Sequence, residues 1–342
     1  MSVAKRHFER GKTVSIRILS VGSCVPERIL TNFDLEKMVD TSDEWIRSRT
    51  GIETRHLSAP GQASSDLATL AAQKALDSAE TGARDLDAIL VATVTPDHAF
   101  PSTACLVQRN LGAERAFGFD MAAACSGLIY ALHTGYCLMK TMPETYRKIM
   151  IIGVEQPTKL VDWTNRNTCV LFGDGASAVL LGNDPAGTED FLVSSALHTD
   201  GRLGDLLKLP AGGSRMPASE ETVAQKLHCL RMDGRETFKN AVANMVSSSK
   251  EALEKAHLTV NGLRWVIPHQ ANIRIMDAVA QRLGAAPEQV YSNIARIGNT
   301  SAASIGICLD EIAGRKLVNR GDLLLLTAFG GGLTWGGMVI RW

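Results

Sequence analysis

The stretch FDMAAACSGLIYAL, residues 119–132, decides how the chain is read. It opens as the end of an apolar strand, runs through alanines to Cys125, and continues with apolar residues at helical spacing. A strand that passes directly into a helix is the repeating unit of an α/β protein. The helix is expected to stop near Pro143.

The same grammar extends on both sides. VSIRILSVGSCV, LDAILVATV, AFGFDM, KIMIIGVE and ASAVLLG read as strands, and SSDLATLAAQKALDSA reads as a helix. Further on, ETFKNAVANMVSSSKEALEKA, IRIMDAVAQRL and SAASIGICLDEIA read as helices. RWVIP and DLLLLTAF read as strands, and TWGGMVIRW closes the chain. Cys125-Ser126 opens a helix of small residues followed by the strand 148–154; Asn299-Thr300-Ser301 opens another, followed by the strand 322–328. This is a duplication of architecture, not of letters. It predicts two α/β halves, 14–185 and 186–342, divided within the turn-forming stretch GNDPAGTED at 182–190. Residues 1–13 are expected to be a disordered extension. Pseudo-symmetry would bring two helix N-termini, one per half, towards a common centre.

Composition narrows the function. The 342 residues carry 36 basic and 36 acidic side chains, so nothing argues for a nucleic-acid or membrane-surface protein. The start, MSVAKRHFERGK, is basic but lacks the apolar core of a secretory signal. No run approaches the ~18 apolar residues of a membrane span. Seven scattered cysteines form no CxxC pair and no zinc spacing with histidine. The expectation is a cytoplasmic protein with reduced thiols and no metal.

Three residues stand out. Cys125 sits where a helix begins, and free N–H groups and partial positive charge there favour a thiolate. Small neighbours leave sulfur approachable, and the Cys125 N–H can receive an oxyanion. The alternative is a buried structural cysteine, the reading given to Cys24, Cys105, Cys137, Cys169, Cys229 and Cys308. His269, in WVIPHQAN, stands just past the carboxyl end of a strand, where ligand sites gather in α/β sheets. Its alternative is a hydrogen-bonded structural histidine. Asn299, in IGNTSAAS, is either a helix cap or a donor. AFGGGLTW is a tight turn between strands or a loop whose N–H groups approach a ligand, and LFGDGASAVLL is mainly structural. A thiol nucleophile with a neutral histidine and an asparagine suits chemistry that holds a thioester oxygen while it becomes an enolate. The same residue types also build a papain-like hydrolase, whose local sequence around the cysteine differs.

DMAAACSGLIYAL, VIPHQAN, GNTSAAS, FGDGA, DEWIRSRTGI and AFGGGLTWG together resemble the β-ketoacyl-[acyl-carrier-protein] synthase III family, over roughly residues 14–342. The resemblance implies the thiolase fold, two similar halves in a five-layered αβαβα core, and a homodimer. It implies a decarboxylative Claisen condensation of an acyl-CoA, usually acetyl-CoA, with malonyl-carrier protein, initiating fatty acid synthesis without metal or redox cofactor. By that resemblance Cys125 is acylated, and the N–H groups of Cys125 and Gly331 form one oxyanion hole. His269 and Asn299 form the other. The coenzyme A groove falls on Trp45, Arg49, Arg166, Gly234, Phe238, Asn272 and Arg274, with Trp45 and Arg166 sandwiching the adenine. Lys239 and Arg274 would meet the acidic carrier protein. Val94, Phe100, Leu206 and Leu207 would shape the acyl pocket, Phe100 reaching across the dimer. Two positions depart from the family pattern: Ile297 replaces an aromatic residue or histidine, and Val94 a small polar residue. Related thiolase-fold synthases that make polyketide starters, alkylquinolones or long-chain ketones remain as alternatives, as does a non-catalytic acyl-binding scaffold.

Overall fold

The computed structural model describes residues 14–342, so the expected extension at 1–13 lies outside the described residues. Strands β1 (Ser15–Cys24), β2 (Ala88–Ala92), β3 (Phe117–Met121), β4 (Lys148–Glu155) and β5 (Gly175–Asp184) form one sheet in the order β1-β5-β4-β2-β3. β2 runs parallel to β3 and β4, whereas β5 is antiparallel to β4 and β1. Strands β6 (Leu192–Thr199), β7 (Trp265–Pro268), β8 (Leu323–Gly330) and β9 (Thr334–Arg341) form a second sheet in the order β7-β8-β9-β6. A parallel bridge from Val266 to Val290 occupies the position beside β7 that β3 holds beside β2. Counting that bridge, strand order and direction repeat between the sheets.

The helices repeat as well. These are α1 (Asp43–Thr50), α2 (Ser64–Ser78), α3 (Thr103–Leu111), α4 (Gly127–Thr141), α5 (Gly234–Lys255), α6 (Ile273–Leu283) and α7 (Ser304–Gly314). Helices α2 and α3 cover the outer face of the first sheet, and α5 and α6 cover that of the second. Helices α4 and α7 fill the space between the sheets, which makes five layers, αβαβα.

Local sequence explains the layers. In α2, Leu67, Ala68, Ala71, Ala72, Ala75 and Leu76 are buried on one face, and the alanines let the helix lie close to the sheet. The approach requires Gly22 in β1, because a Cβ there would stand 2.5 Å from the Ala71 carbonyl oxygen. Strand β4 is covered on both faces and therefore reads as an unbroken apolar run. Helix α7 is buried on all sides through Ile305, Ile307, Cys308, Leu309 and Ile312, as a central-layer helix must be. Each such Leu or Ile contributes roughly 1.5–3 kcal/mol of burial.

The turn between the sheets is shorter than the sequence suggests. Gly182, Asn183 and Asp184 continue β5 in register with Arg17, Ile16 and Ser15. Asn183 Nδ2 is anchored on the Pro143 carbonyl at 2.8 Å, which keeps these turn-forming residues extended.

Candidate active site

The carboxyl ends of β2, β3, β4, β7 and β8 converge between the two sheets. After β3 the backbone passes through Ala124 at φ 44° and a single 3-10 turn, Ala124–Ser126, into α4. In the second half Ser301 at φ 50° opens the matching turn, Ser301–Ala303, into α7. Positive φ is uncommon for non-glycine residues and costs about 1–3 kcal/mol. The two turns pack against each other, and Cys125 follows the first of the strained residues.

Cys125 is half-buried, and Ser301 Oγ lies 3.3 Å from its Sγ. The sequence leads one to expect a thiol acidified by the helix end. The structure corrects this: burial pushes the thiol up from 9.0 to about 12, partly countered by the Ser301 hydroxyl, with the Glu155 carboxylate adding to the rise. That rise corresponds to about 4 kcal/mol, whereas a helix terminus supplies about 0.3–2 kcal/mol in the other direction. The resting group is therefore a thiol. Its backbone N–H lies in the first turn, where donors have no intrahelical partner.

His269 follows β7 and is 1% exposed. Burial lowers its pKa to about 3, so the imidazole is neutral and can donate without carrying charge. Its Nδ1 lies 2.7 Å from Ser304 Oγ. The next residue, Gln270, is buried and clasps the neighbouring segment: its Nε2 donates to the Pro268 and Tyr291 carbonyls. Its Oε1 accepts from Ser292 Oγ and Asn293 N. Gln270 thereby ties the end of β7 to the chain that leads to Asn299.

Asn299 lines a cleft with Cys125 and takes up the cap role. Its Oδ1 accepts from Ser301 N at 2.9 Å, as a cap would, and its Nδ2 takes no part in that bond. Its backbone is clamped between Leu171 O and Gly173 N, both at 3.0 Å. Arg55, fully buried, donates to Val170 O, Leu30 O and Asn32 Oδ1 and so steadies the clamping segment.

The AFGGGLTW segment is a tight turn between strands. Gly331 lies in the turn between β8 and β9 and lines a cavity with Cys125. Gly330 must lack a side chain, since a Cβ there would stand 2.6 Å from Cys125 N.

Two cavities meet at Cys125. A cleft of about 660 Å³ contains Cys125, His269 and Asn299 with Trp45, Arg49, Arg166, Gly234, Phe238, Asn272 and Arg274. Arginines at 49, 166, 235 and 274 make it attractive to a polyphosphate. Asn272 also caps α6 through Oδ1. Arg166 rests directly on Trp45, 5.0 Å from the ring centroid, and Nη1 bonds Asp40. That leaves no space between the two for an adenine, so the expected sandwich requires Arg166 to swing away. Lys239 is not in the cleft; it is exposed on α5 and pairs with Glu236 at 3.8 Å.

The second cavity, about 300 Å³, is largely apolar and is lined by Cys125, Val94, Leu207, Leu230, Glu155 and Gly331, among others. Leu206, expected there, instead packs with the α5 and α6 side chains and Phe329. The physical reason is alternation: Leu206 ends a 3-10 turn and Leu207 begins a strand facing the other way. Phe100 lies outside this cavity and is 86% exposed.

Two family models match the chain: "3-Oxoacyl-[acyl-carrier-protein (ACP)] synthase III" over residues 119–201 and its C-terminal counterpart over 253–342. The β-ketoacyl-[acyl-carrier-protein] synthase III of Caldanaerobacter subterraneus subsp. tengcongensis is 51% identical, covering 96% of this chain and 98% of that one. This chain belongs to the β-ketoacyl-[acyl-carrier-protein] synthase III family. The crystal structure of the synthase III from Aquifex aeolicus VF5 is 44% identical, with TM-score 0.86 and coverage of 96% and 100%. A priming β-ketosynthase of the R1128 polyketide pathway is 31% identical, with TM-score 0.88 and coverage of 96% and 97%. Xanthomonas campestris OleA, at 19% identity and TM-score 0.81 over 96% and 98% of the chains, shares the fold.

Glu155, Gln270, Ser301 and Ser304 are not singled out by sequence pattern, yet they adjoin Cys125, His269 or Asn299. The available signal for Glu155 was a charged residue ending the apolar run KIMIIGVE.

Proposed function

We propose that the enzyme condenses an acyl-CoA with malonyl-carrier protein, releasing carbon dioxide and giving the 3-oxoacyl-carrier protein that starts fatty acid synthesis. The observation that carries this reading is the position of Cys125 at the junction of an arginine-rimmed cleft and an apolar pocket. Coenzyme A fits the first, with its phosphates at the arginines and its pantetheine arm directed to sulfur. The acyl chain fits the second.

Cys125 sulfur attacks the thioester carbonyl, whose oxygen is received by the N–H groups of Cys125 and Gly331. Coenzyme A leaves, and malonyl-carrier protein enters by the same cleft. Neutral His269 and Asn299 Nδ2 donate to its thioester oxygen as carbon dioxide departs, and the resulting carbanion attacks the acyl-Cys125 carbonyl. In this reading Arg274, in the cleft, and Lys239, exposed on α5, meet the acidic carrier. The chemistry takes no resident cofactor. Among the described residues no helix is long and apolar enough to cross a membrane, which suits a cytoplasmic enzyme.

A homodimer completes this reading. β3 is an edge strand, and Phe117, Phe119 and the nearby Phe100 are exposed. An apolar edge of this kind is a template for pairing with a second copy. The testing experiment is incubation with acetyl-CoA and malonyl-carrier protein: 3-oxobutyryl-carrier protein supports the function, and its absence with every acyl-CoA tried overturns it.

A further inference from the structure

Glu155 ends β4, is fully buried, and lines the same 300 Å³ pocket as Cys125. Neutral donors hold it. Val94 N donates to Oε1 at 3.1 Å and Thr95 Oγ1 donates to Oε2 at 2.6 Å. Ser301 Oγ stands 3.3 Å from Glu155 Oε1 and 3.3 Å from Cys125 Sγ. A buried carboxylate that no cation bonds is costly as an anion. Burial accordingly raises its pKa to about 7, so it can gain and lose a proton near neutrality. One hydroxyl carries one hydrogen and can donate to only one neighbour at a time. When that hydrogen is donated to Glu155, the lone pairs of Ser301 Oγ are free to accept the S–H of Cys125.

We propose that Ser301 and Glu155 form a proton relay that removes the thiol proton of Cys125 during acyl transfer and stores it until condensation. The relay rests on the reading of Cys125 as the acyl acceptor. As sulfur bonds to the thioester carbon, its proton moves to Ser301 Oγ and the serine proton moves to Glu155 Oε1. The bond to coenzyme A breaks, and the departing thiolate takes its proton from water. Glu155 stays neutral while the acyl chain occupies the pocket. Condensation later expels the Cys125 thiolate, and the stored proton returns through Ser301. Over one cycle the single proton consumed is the one taken by coenzyme A. Ser301 touches the reacting sulfur, and Glu155 acts through it. Lys208 lines the same pocket, and the cleft that Cys125 shares holds His269 with Arg49, Arg166, Arg235 and Arg274.

The test follows acylation by acetyl-CoA in a rapid-mixing experiment read by intact mass, across a pH range centred on about 7. The wild-type rate is expected to rise with pH as Glu155 ionises. Glu155→Gln should slow acylation about 10²-fold or more at neutral pH and move its pH dependence to the alkaline side. Ser301→Ala should do the same, and the double variant should be no slower than either single one. Decarboxylation of malonyl-carrier protein, which uses His269 and Asn299, should persist in both single variants. Should Glu155→Gln fail to fold, Ser301→Ala alone decides. Acylation at the wild-type rate and pH profile in the variants overturns the relay. So does a parallel loss of acylation and decarboxylation, which would mark a structural role. If wild-type protein takes up no acyl group, the function itself is wrong and the relay falls with it; normal wild-type acylation with unaffected variants removes the relay alone.

Discussion

His269 Nδ1 lies 2.7 Å from the hydroxyl oxygen of Ser304, the first residue of α7. Gln270 N donates to the same oxygen at 3.4 Å. In the tautomer in which Nδ1 accepts from Ser304, the ring proton sits on Nε2, the nitrogen needed to donate to a thioester oxygen. Ser304→Ala removes this orientation and leaves a buried nitrogen unpaired. The expected result is a loss of about tenfold to a hundredfold in decarboxylation, with acylation of Cys125 retained. Parallel single-turnover assays of the two half-reactions check it.

The groove makes a separate prediction. Trp45, in the cleft, carries Arg49 and Arg166 at 4.9 and 5.0 Å from its ring centroid. Replacing Trp45 with alanine should raise KM for acetyl-CoA about tenfold, the scale of one lost base-stacking contact, with kcat little changed. Steady-state kinetics with acetyl-CoA varied reads both constants.

Primer length should respond to Leu207 and not to Leu206. Only Leu207 lines the apolar pocket beside Cys125. Leu207→Ala is expected to admit longer acyl chains, and Leu206→Ala to leave the chain-length profile in place. A ladder of acyl-CoAs, with the acylated protein weighed after each, distinguishes the two.

Two buried groups pull stability in opposite directions with pH. His269 has a folded pKa of about 3 against an ordinary 6.5, so it binds fewer protons when folded, and stability falls as pH drops through that window. Glu155 is raised from 4.5 to about 7; it binds more protons when folded, so its contribution is present below 4.5 and is lost as pH rises towards 7. Between 4.5 and 6.5 the two slopes, about 1.4 kcal/mol per pH unit each, oppose one another. Glu155→Gln removes one of them. Its stability relative to wild type should therefore climb with pH from 4.5 to 7, as denaturant titrations at several pH values would show.

Much of the fold was legible because the central elements are unambiguous. The apolar run of β4 and the one-sided alanines of α2 each admit a single reading. Strand β6 was harder, since Ser194 and Ser195 interrupt its apolar pattern. Cys125, His269 and Asn299, which the fold brings into one cleft, stand out in the sequence through their places at strand and helix ends. Glu155 and Ser301 do not, because they are 146 positions apart and meet only when the two halves close. The acidity of Cys125 was misjudged for a related reason: the helix end is visible in sequence, but the depth of burial is not. Nor does sequence show that Arg166 rests on Trp45.

The most direct test of the account is the intact mass of wild-type protein and of Cys125→Ser after incubation with acetyl-CoA. The account predicts one acetyl group per wild-type chain, mapped by peptide analysis to Cys125, and none on the variant. Equal labelling of the variant, or a label on any other residue, would contradict it.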